Sequence, residues 1–186
     1  MTISVIIPTI RKEEEIAGLI DEIKDTATHM TELIIASGDG SAAQNRNIGL
    51  DKASSEFIIM CDDDTKDYTP GWDKGLIDIL EKTNGSMVGA RLLNTDGGIQ
   101  ATNYSCYELE FPYVQVRTMI TAVCAFRSTK LRFDENFVGS GYEDTDFCRQ
   151  LGGKFFVANT VVVTHRNEHK KPNDVKNSAY YARKWK

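Results

Sequence analysis

Residues 57–64 read FIIMCDDD, five apolar residues closed by three carboxylates. A continuous apolar run of this length suits a strand covered on both faces. The three aspartates then fall at its carboxyl end, the edge at which ligands bind in open α/β sheets. Adjacent carboxylates repel one another, and a hard divalent cation with oxygen ligands would relieve that cost. A solvated acidic loop is the alternative, and the triplet alone does not choose. An EF-hand is excluded, because counting from Asp62 puts Asp67 where glycine belongs and Asp73 where glutamate belongs.

Two similar runs lie upstream: ISVIIP, ended by Pro8, and LIIA (Leu33 to Ala36), broken by SGDGS. Between them Ile16, Leu19, Ile20 and Ile23 keep helical spacing, which predicts one helix from Glu13 to about Thr26. Glu13, Glu14 and Glu15 favour its positive end. A second helix is predicted from Ala42 to about Ala53. A third carries Trp72, Leu76, Ile79 and Leu80 and stops at Asn84-Gly85. This alternation predicts an α/β domain with a mostly parallel central sheet flanked by helices. Further on, strands are expected at Met87–Leu93, Ile99–Tyr107, Val114–Arg117 and Thr121–Arg127. Then come a helix at Glu143–Leu151, strands in KFFVA and VVVTH, and a polar helix from Asp174.

With 186 residues, 41% hydrophobic and 26% charged, the chain suits one domain with a real core. No apolar run nears the roughly 18 residues of a membrane span. Ile3 to Ile7 lacks the basic start of a secretory signal, so a cytoplasmic protein is expected. Cys61, Cys106, Cys124 and Cys148 show no Cys-x-x-Cys pairing and are expected as reduced core thiols. The net charge of −5 divides unevenly: from His165 onward seven Lys/Arg face two acids, +5 on a body of −10. A basic tail of this kind suits a phosphorylated ligand, a membrane surface touched peripherally, or the acidic body itself. The acidic body argues against a nucleic-acid partner.

Two more segments bear chemistry. VVVTH sets His165 at the end of a β-branched run, and one imidazole beside carboxylate oxygens suits Mn²⁺, with Mg²⁺ a weaker substitute. In GSGYEDTDFCRQLGG, glycines precede a helix whose first turn holds Glu143, Asp144 and Asp146. Ordinary helix-start chemistry accounts for these acids, as does a positioned general base at Asp144.

Taken in order along nearly the whole chain, four segments resemble the family 2 glycosyltransferases of the GT-A fold. They are SVIIPT, SGDGSAAQNRNIGL, EFIIMCDDDTKDYTPGW with its Asp-X-Asp pattern, and LRFDENFVGSGYEDTDFCRQL, with His165 after them. The resemblance implies metal-assisted transfer of a sugar from a nucleotide-sugar to an acceptor hydroxyl, with inversion. UDP-glucose and UDP-galactose are the donors expected from their frequency, and a saccharide or other hydroxyl compound is the acceptor. The resemblance further implies that Pro8, Thr9 and Asp39 line the base pocket and that Arg11 and Arg46 reach the nucleotide. Asp62, with Asp63 beside it, contacts the ribose, and Arg91 borders the sugar. Asp64 and His165 hold Mn²⁺ (or Mg²⁺), Asp144 is the base, and Glu143 orients sugar or acceptor. Residues 1–93 form the nucleotide-sugar half, 94–164 an acceptor half with a small antiparallel portion, and 165–186 a basic loop and helix of the same domain. That loop is expected to fold over the diphosphate with Lys170 and Lys171. The chain departs from the family at Gly38-Asp39, where an Asp pair is usual, and at Ile10-Arg11-Lys12, where Asn-Glu is usual. A non-catalytic nucleotide-sugar or metal-binding module is the first alternative. A sugar-phosphate nucleotidyltransferase is the second, disfavoured because PTIRKEEE has no glycine for a phosphate loop.

Overall fold

The computed structural model describes residues 1–100, 109–167 and 174–186. In it β1 (Ile3–Thr9), β2 (Glu32–Ser37) and β3 (Phe57–Cys61) pair in parallel, with β1 in the middle. Next to β3 comes β7 (Val123–Arg127), antiparallel, then β5 (Met87–Leu93) and β8 (Phe155–His165), parallel to each other. Two short strands, β4 (Thr65–Lys66) and β6 (Tyr113–Val116), lie antiparallel to β8. Five of these eight strands therefore run one way, and β4, β6 and β7 supply the antiparallel portion.

Because strand side chains alternate, both faces of the central strands must be apolar to be covered. Ile3, Val5, Ile7, Phe57 and Ile59 pack on one side with α1 (Ala17–Thr26) and α3 (Trp72–Thr83). Ile6, Ile58, Met60 and Phe126 pack on the other with α2 (Ala42–Lys52) and α4 (Glu143–Leu151). There Phe147 stacks on Phe133 at 4.1 Å and meets Phe126 edge-on at 5.5 Å. Such aromatic pairs add about 0.5–1.5 kcal/mol each beyond their buried area. The C-terminal helix α5 (Asp174–Lys184) carries the basic tail.

Four expectations need correction. The helix expected from Glu13 is a 3-10 turn (Glu13–Glu15) followed by α1. Ile16 leaves helical geometry (φ −114°, ψ 10°) as it turns into the core, while Glu15 caps the Lys12 amide at 2.8 Å. β1 runs one residue past Pro8, where it pairs with β2 alone, beyond the last rung with β3 at Ile6–Met60. KFFVA and VVVTH are one strand, β8, with Asn159–Val161 bulged between the rungs Ala90–Ala158 and Arg91–Val162. The Asn159 amide and its side-chain Nδ2 donate to the Pro112 and Phe111 carbonyls, each at 2.9 Å. The strand expected from Thr121 starts at Val123. Of the strand expected at Ile99–Tyr107, only Ile99, which bridges Leu93, and Gln100 are among the described residues. Residues 101–108, with Cys106, lie outside them. Cys61, Cys124 and Cys148 are buried free thiols. No helix among the described residues is long and apolar enough to cross a membrane.

Candidate active site

Backbone pairing brings Asp64 to His165. Immediately after Asp64 the chain enters β4, whose Thr65 lies opposite His165 and whose Lys66 lies opposite Thr164. The Arg166 amide donates to the Asp64 carbonyl at 3.0 Å. His165 Nε2 then stands 3.1 Å from Asp64 Oδ1, and one ligand atom each from Asp62, Asp64 and His165 lies within 4.8 Å of the others. The remaining ring nitrogen, Nδ1, is 2.8 Å from Gln100 Oε1. An amide oxygen only accepts, so Nδ1 keeps a proton and Nε2 is left for the cluster. Two carboxylates and an imidazole so arranged form a mixed oxygen–nitrogen donor set that suits Mn²⁺, or Mg²⁺ less well.

The electrostatics agree with that chemistry. Burial opposes charging of His165, but its hydrogen bond to Asp64 and the charges of Asp64, Asp62 and Asp144 outweigh it and raise the pKa. Burial also raises the Asp62 pKa, with Arg46 pulling it down only in part. A cation that displaces protons from such groups binds more tightly as pH rises.

Arg46 comes from α2, whose segment QNRN buries Asn45, Arg46 and Asn47. Its guanidinium spans two elements: Nη2 donates to Asp62 Oδ1 at 2.9 Å and Nη1 to Glu143 Oε1 at 3.1 Å, with Asp144 Oδ1 at 3.5 Å. Burial would discharge it, but Asp62, Asp144 and Glu143 together raise its pKa. The Glu143 carboxyl is itself raised, by burial and then by Asp144, with Arg46 opposing. Asp144 is held differently. It accepts from the Thr121 hydroxyl at 2.5 Å and the Thr121 amide at 3.3 Å, two residues ahead of β7. Asp62, Asp64, His165, Arg46, Glu143 and Asp144 all line one cavity of about 210 Å³.

The other expected residues fall elsewhere. Asp63 points back to β1, where its Oδ2 accepts from the Thr9 hydroxyl at 2.5 Å and lies 3.8 Å from Arg11 Nε. Pro8 and Thr9 are buried in β1, and neither they nor Arg11 line the cavity. Asp39 is exposed on the loop after β2 and borders a separate depression with Gly38, Gln44 and Asn45. Arg91 sits on β5 opposite Val162, at the bulge and outside the cavity lining. Lys170 and Lys171 lie outside the described residues.

Sequence reasoning missed Gln100, Thr121 and Asn45. Asn45 Nδ2 donates to Thr9 O at 2.9 Å and Gly38 O at 3.0 Å, tying the ends of β1 and β2 together. Its only signal was polarity on a helix that has to pack against the sheet.

With the donor cluster, cavity and sheet order in view, the architecture matches solved structures. Over the whole of this chain it matches 48% of GalNAc-T7, crystallised with UDP, GalNAc and Mn²⁺, at TM-score 0.68 and 13% identity. Over 89% of the chain it matches 60% of a TarS structure from S. aureus (residues 1–349), at TM-score 0.68 and 13% identity. The same protein in complex with UDP-GlcNAc gives TM-score 0.68, 14% identity and 91% of this chain. The fold is GT-A. At these identities the likeness is one of fold, and the chain spans about half to 60% of the length of these neighbours. No family model and no curated protein sequence matches the chain.

Proposed function

We propose that the chain is a glycosyltransferase of the family 2 type that moves a sugar from a UDP-sugar to an acceptor hydroxyl by single displacement with inversion. The observation that carries this is one cavity in a GT-A fold bordered both by the Asp62–Asp64–His165 donor set and by Asp144, a carboxylate held by Thr121. The neighbours crystallised with UDP, UDP-GlcNAc or Mn²⁺ support a donor of that class.

In this reading Asp64 and His165, with Asp62 beside them, hold Mn²⁺ or Mg²⁺, which when bound stabilises the charge of the departing diphosphate as a Lewis acid. Asp144 takes the acceptor's proton as its oxygen bonds to the anomeric carbon and the bond to the diphosphate breaks. General-base help of this kind is worth about 10²–10⁴ in rate. Thr121 keeps the Asp144 oxygens aimed, and Arg46 fixes Glu143 beside them. Asp39, Thr9 and Arg11 serve the nucleotide from the strand ends of β1 and β2. Residues 1–93 serve the donor and 94–164 the acceptor, with α5 packed on the same domain.

Titration calorimetry with UDP, with Mn²⁺ and then with EDTA, tests the reading, with GDP as control. Metal-dependent binding of UDP is expected. Binding of GDP instead would retain the enzyme class and overturn the role of Asp39. Binding of neither would leave a module without nucleotide-sugar chemistry.

A further inference from the structure

The basic C-terminal helix α5 packs behind the cavity, against a turn whose Ser140 and Gly141 line it. Asn177, on α5, is 1% exposed, although its neighbours in sequence are mostly solvated. Its Oδ1 accepts from the Val138 amide at 3.1 Å. Its Nδ2 faces the carbonyls of Val138 at 3.1 Å, Gly141 at 2.9 Å and Ser140 at 3.4 Å. One buried side chain thus serves as backbone partner for a turn that makes no strand or helix of its own. The turn is crowded: a Cβ on Gly141, whose φ is +109°, would meet Asp174 Oδ1 at 2.5 Å. Gly139 on the same turn accepts from the Ala42 amide at the start of α2, at 3.2 Å.

The turn delivers Tyr142. That residue has φ +71°, a conformation a bulky side chain adopts only where its surroundings impose it. Tyr142 lines the cavity, is 36% exposed, and its ring lies 5.8 Å from that of Tyr181 on α5. Glu143 and Asp144 follow directly as the first residues of α4. An exposed aromatic face beside a buried carboxylate suits a molecule with a flat apolar face and hydroxyls at its edge, and a pyranose ring has both.

We infer that Asn177 is a positioning residue for the acceptor and that the acceptor is a saccharide whose ring packs on Tyr142. This rests on the glycosyltransferase reading above. Asn177 contributes no atom to the reaction: it holds the Val138–Gly141 turn, and through it Tyr142 and the start of α4, in place.

The test compares wild type with Asn177→Asp, which keeps the shape of the side chain and removes its donors, and with Tyr142→Ala, which leaves Asn177 and its bonds to the turn in place. In Asn177→Asp, amide exchange over residues 138–144 should quicken by about tenfold, while exchange in β1–β3 stays as in wild type. Its Mn²⁺-dependent affinity for UDP should stay within about twofold, since the cation site is held by other contacts. Release of UDP from a panel of UDP-hexoses and UDP-N-acetylhexosamines onto methyl glycosides should show KM for the glycoside raised by about tenfold or more in both variants. Unchanged exchange over 138–144, or loosening that spreads equally to β1–β3, would overturn the positioning role. Wild-type protein that binds UDP yet transfers to no methyl glycoside would overturn the saccharide assignment. Wild-type protein that binds no UDP would remove the underlying reading as well, which separates the two failures.

Discussion

The cavity is bordered by two groups of residues that reach their places by different routes. On one side Asp62, Asp64 and His165 sit at or just beyond the carboxyl ends of β3 and β8, and strand direction with the β4–β8 pairing is enough to bring them together. On the other side Tyr142, Glu143 and Asp144 are located by side chains reaching across the sequence. Thr121 holds Asp144, Arg46 holds Glu143, and Asn177 holds the turn before them. A strand ladder is cooperative, whereas each such clamp is a single local contact, worth about 0.5–1.5 kcal/mol net for a neutral bond and about 1.5–3 kcal/mol where a charged group takes part. The Asp62–Asp64–His165 side should therefore be the stiffer, and substitutions on one side should leave the other side's task largely intact.

Asp144→Asn is the strongest challenge to that separation. Turnover should fall by about 10²–10⁴ while Mn²⁺-dependent UDP affinity is kept. Loss of both would mean that the two sides act as one unit, coupled through Arg46. Asp64→Ala is the converse: UDP affinity in Mn²⁺ should drop by about 100-fold or more. Without metal the variant should melt no lower than wild type, because one of four carboxylates crowded around a single cavity has been removed. A lower melting point would assign Asp64 a structural role through His165.

Gln100→Leu probes the same side more gently. The ring of His165 would lose the acceptor that fixes Nδ1–H, and Mn²⁺ affinity should weaken by about tenfold, measured by competition against a metal indicator. Unchanged affinity would show that the β4–β8 pairing alone orients the imidazole.

This contrast also explains what could be read in advance. FIIMCDDD and VVVTH were legible because a continuous apolar run predicts a strand, and strand direction assigns the residue after it to an edge. The turn between β3 and β4 decided what composition could not: of three adjacent aspartates, Asp62 and Asp64 face the cavity while Asp63 turns back to Thr9 and Arg11. β4 has two residues, too few for any periodicity to mark. Gln100 lies 65 residues from His165 and Thr121 lies 23 from Asp144, so no local pattern joins them. Asn177 looked like one more polar residue of a solvated helix. The charge count of the tail left three partners open. For Lys184 the structure selects the acidic body, through Asp134 at 2.6 Å and Asp146 at 2.9 Å.

The smallest effect expected is at that docking of α5. Burial would raise the Asp134 pKa, but Lys184, the Asn136 amides and the Tyr180 hydroxyl hold it down to about 2, against an ordinary 3.8. A carboxyl whose pKa is lower in the folded state stabilises the fold above its unfolded value, and that contribution fades as pH falls through the folded one. Discounted for partial exposure, it amounts to about 1–2 kcal/mol near neutral pH. Asp134→Asn should therefore lower the urea midpoint at about pH 7, with the gap to wild type narrowing as pH falls from about 4 toward 2. A gap that ignores pH would mean that α5 is held instead by ring contacts such as Phe137–Tyr180 at 5.0 Å. The turn before Glu143 and Asp144 would then depend on packing, and the contrast between a stiff Asp62–Asp64–His165 side and a polar, more yielding opposite side would lose part of its basis.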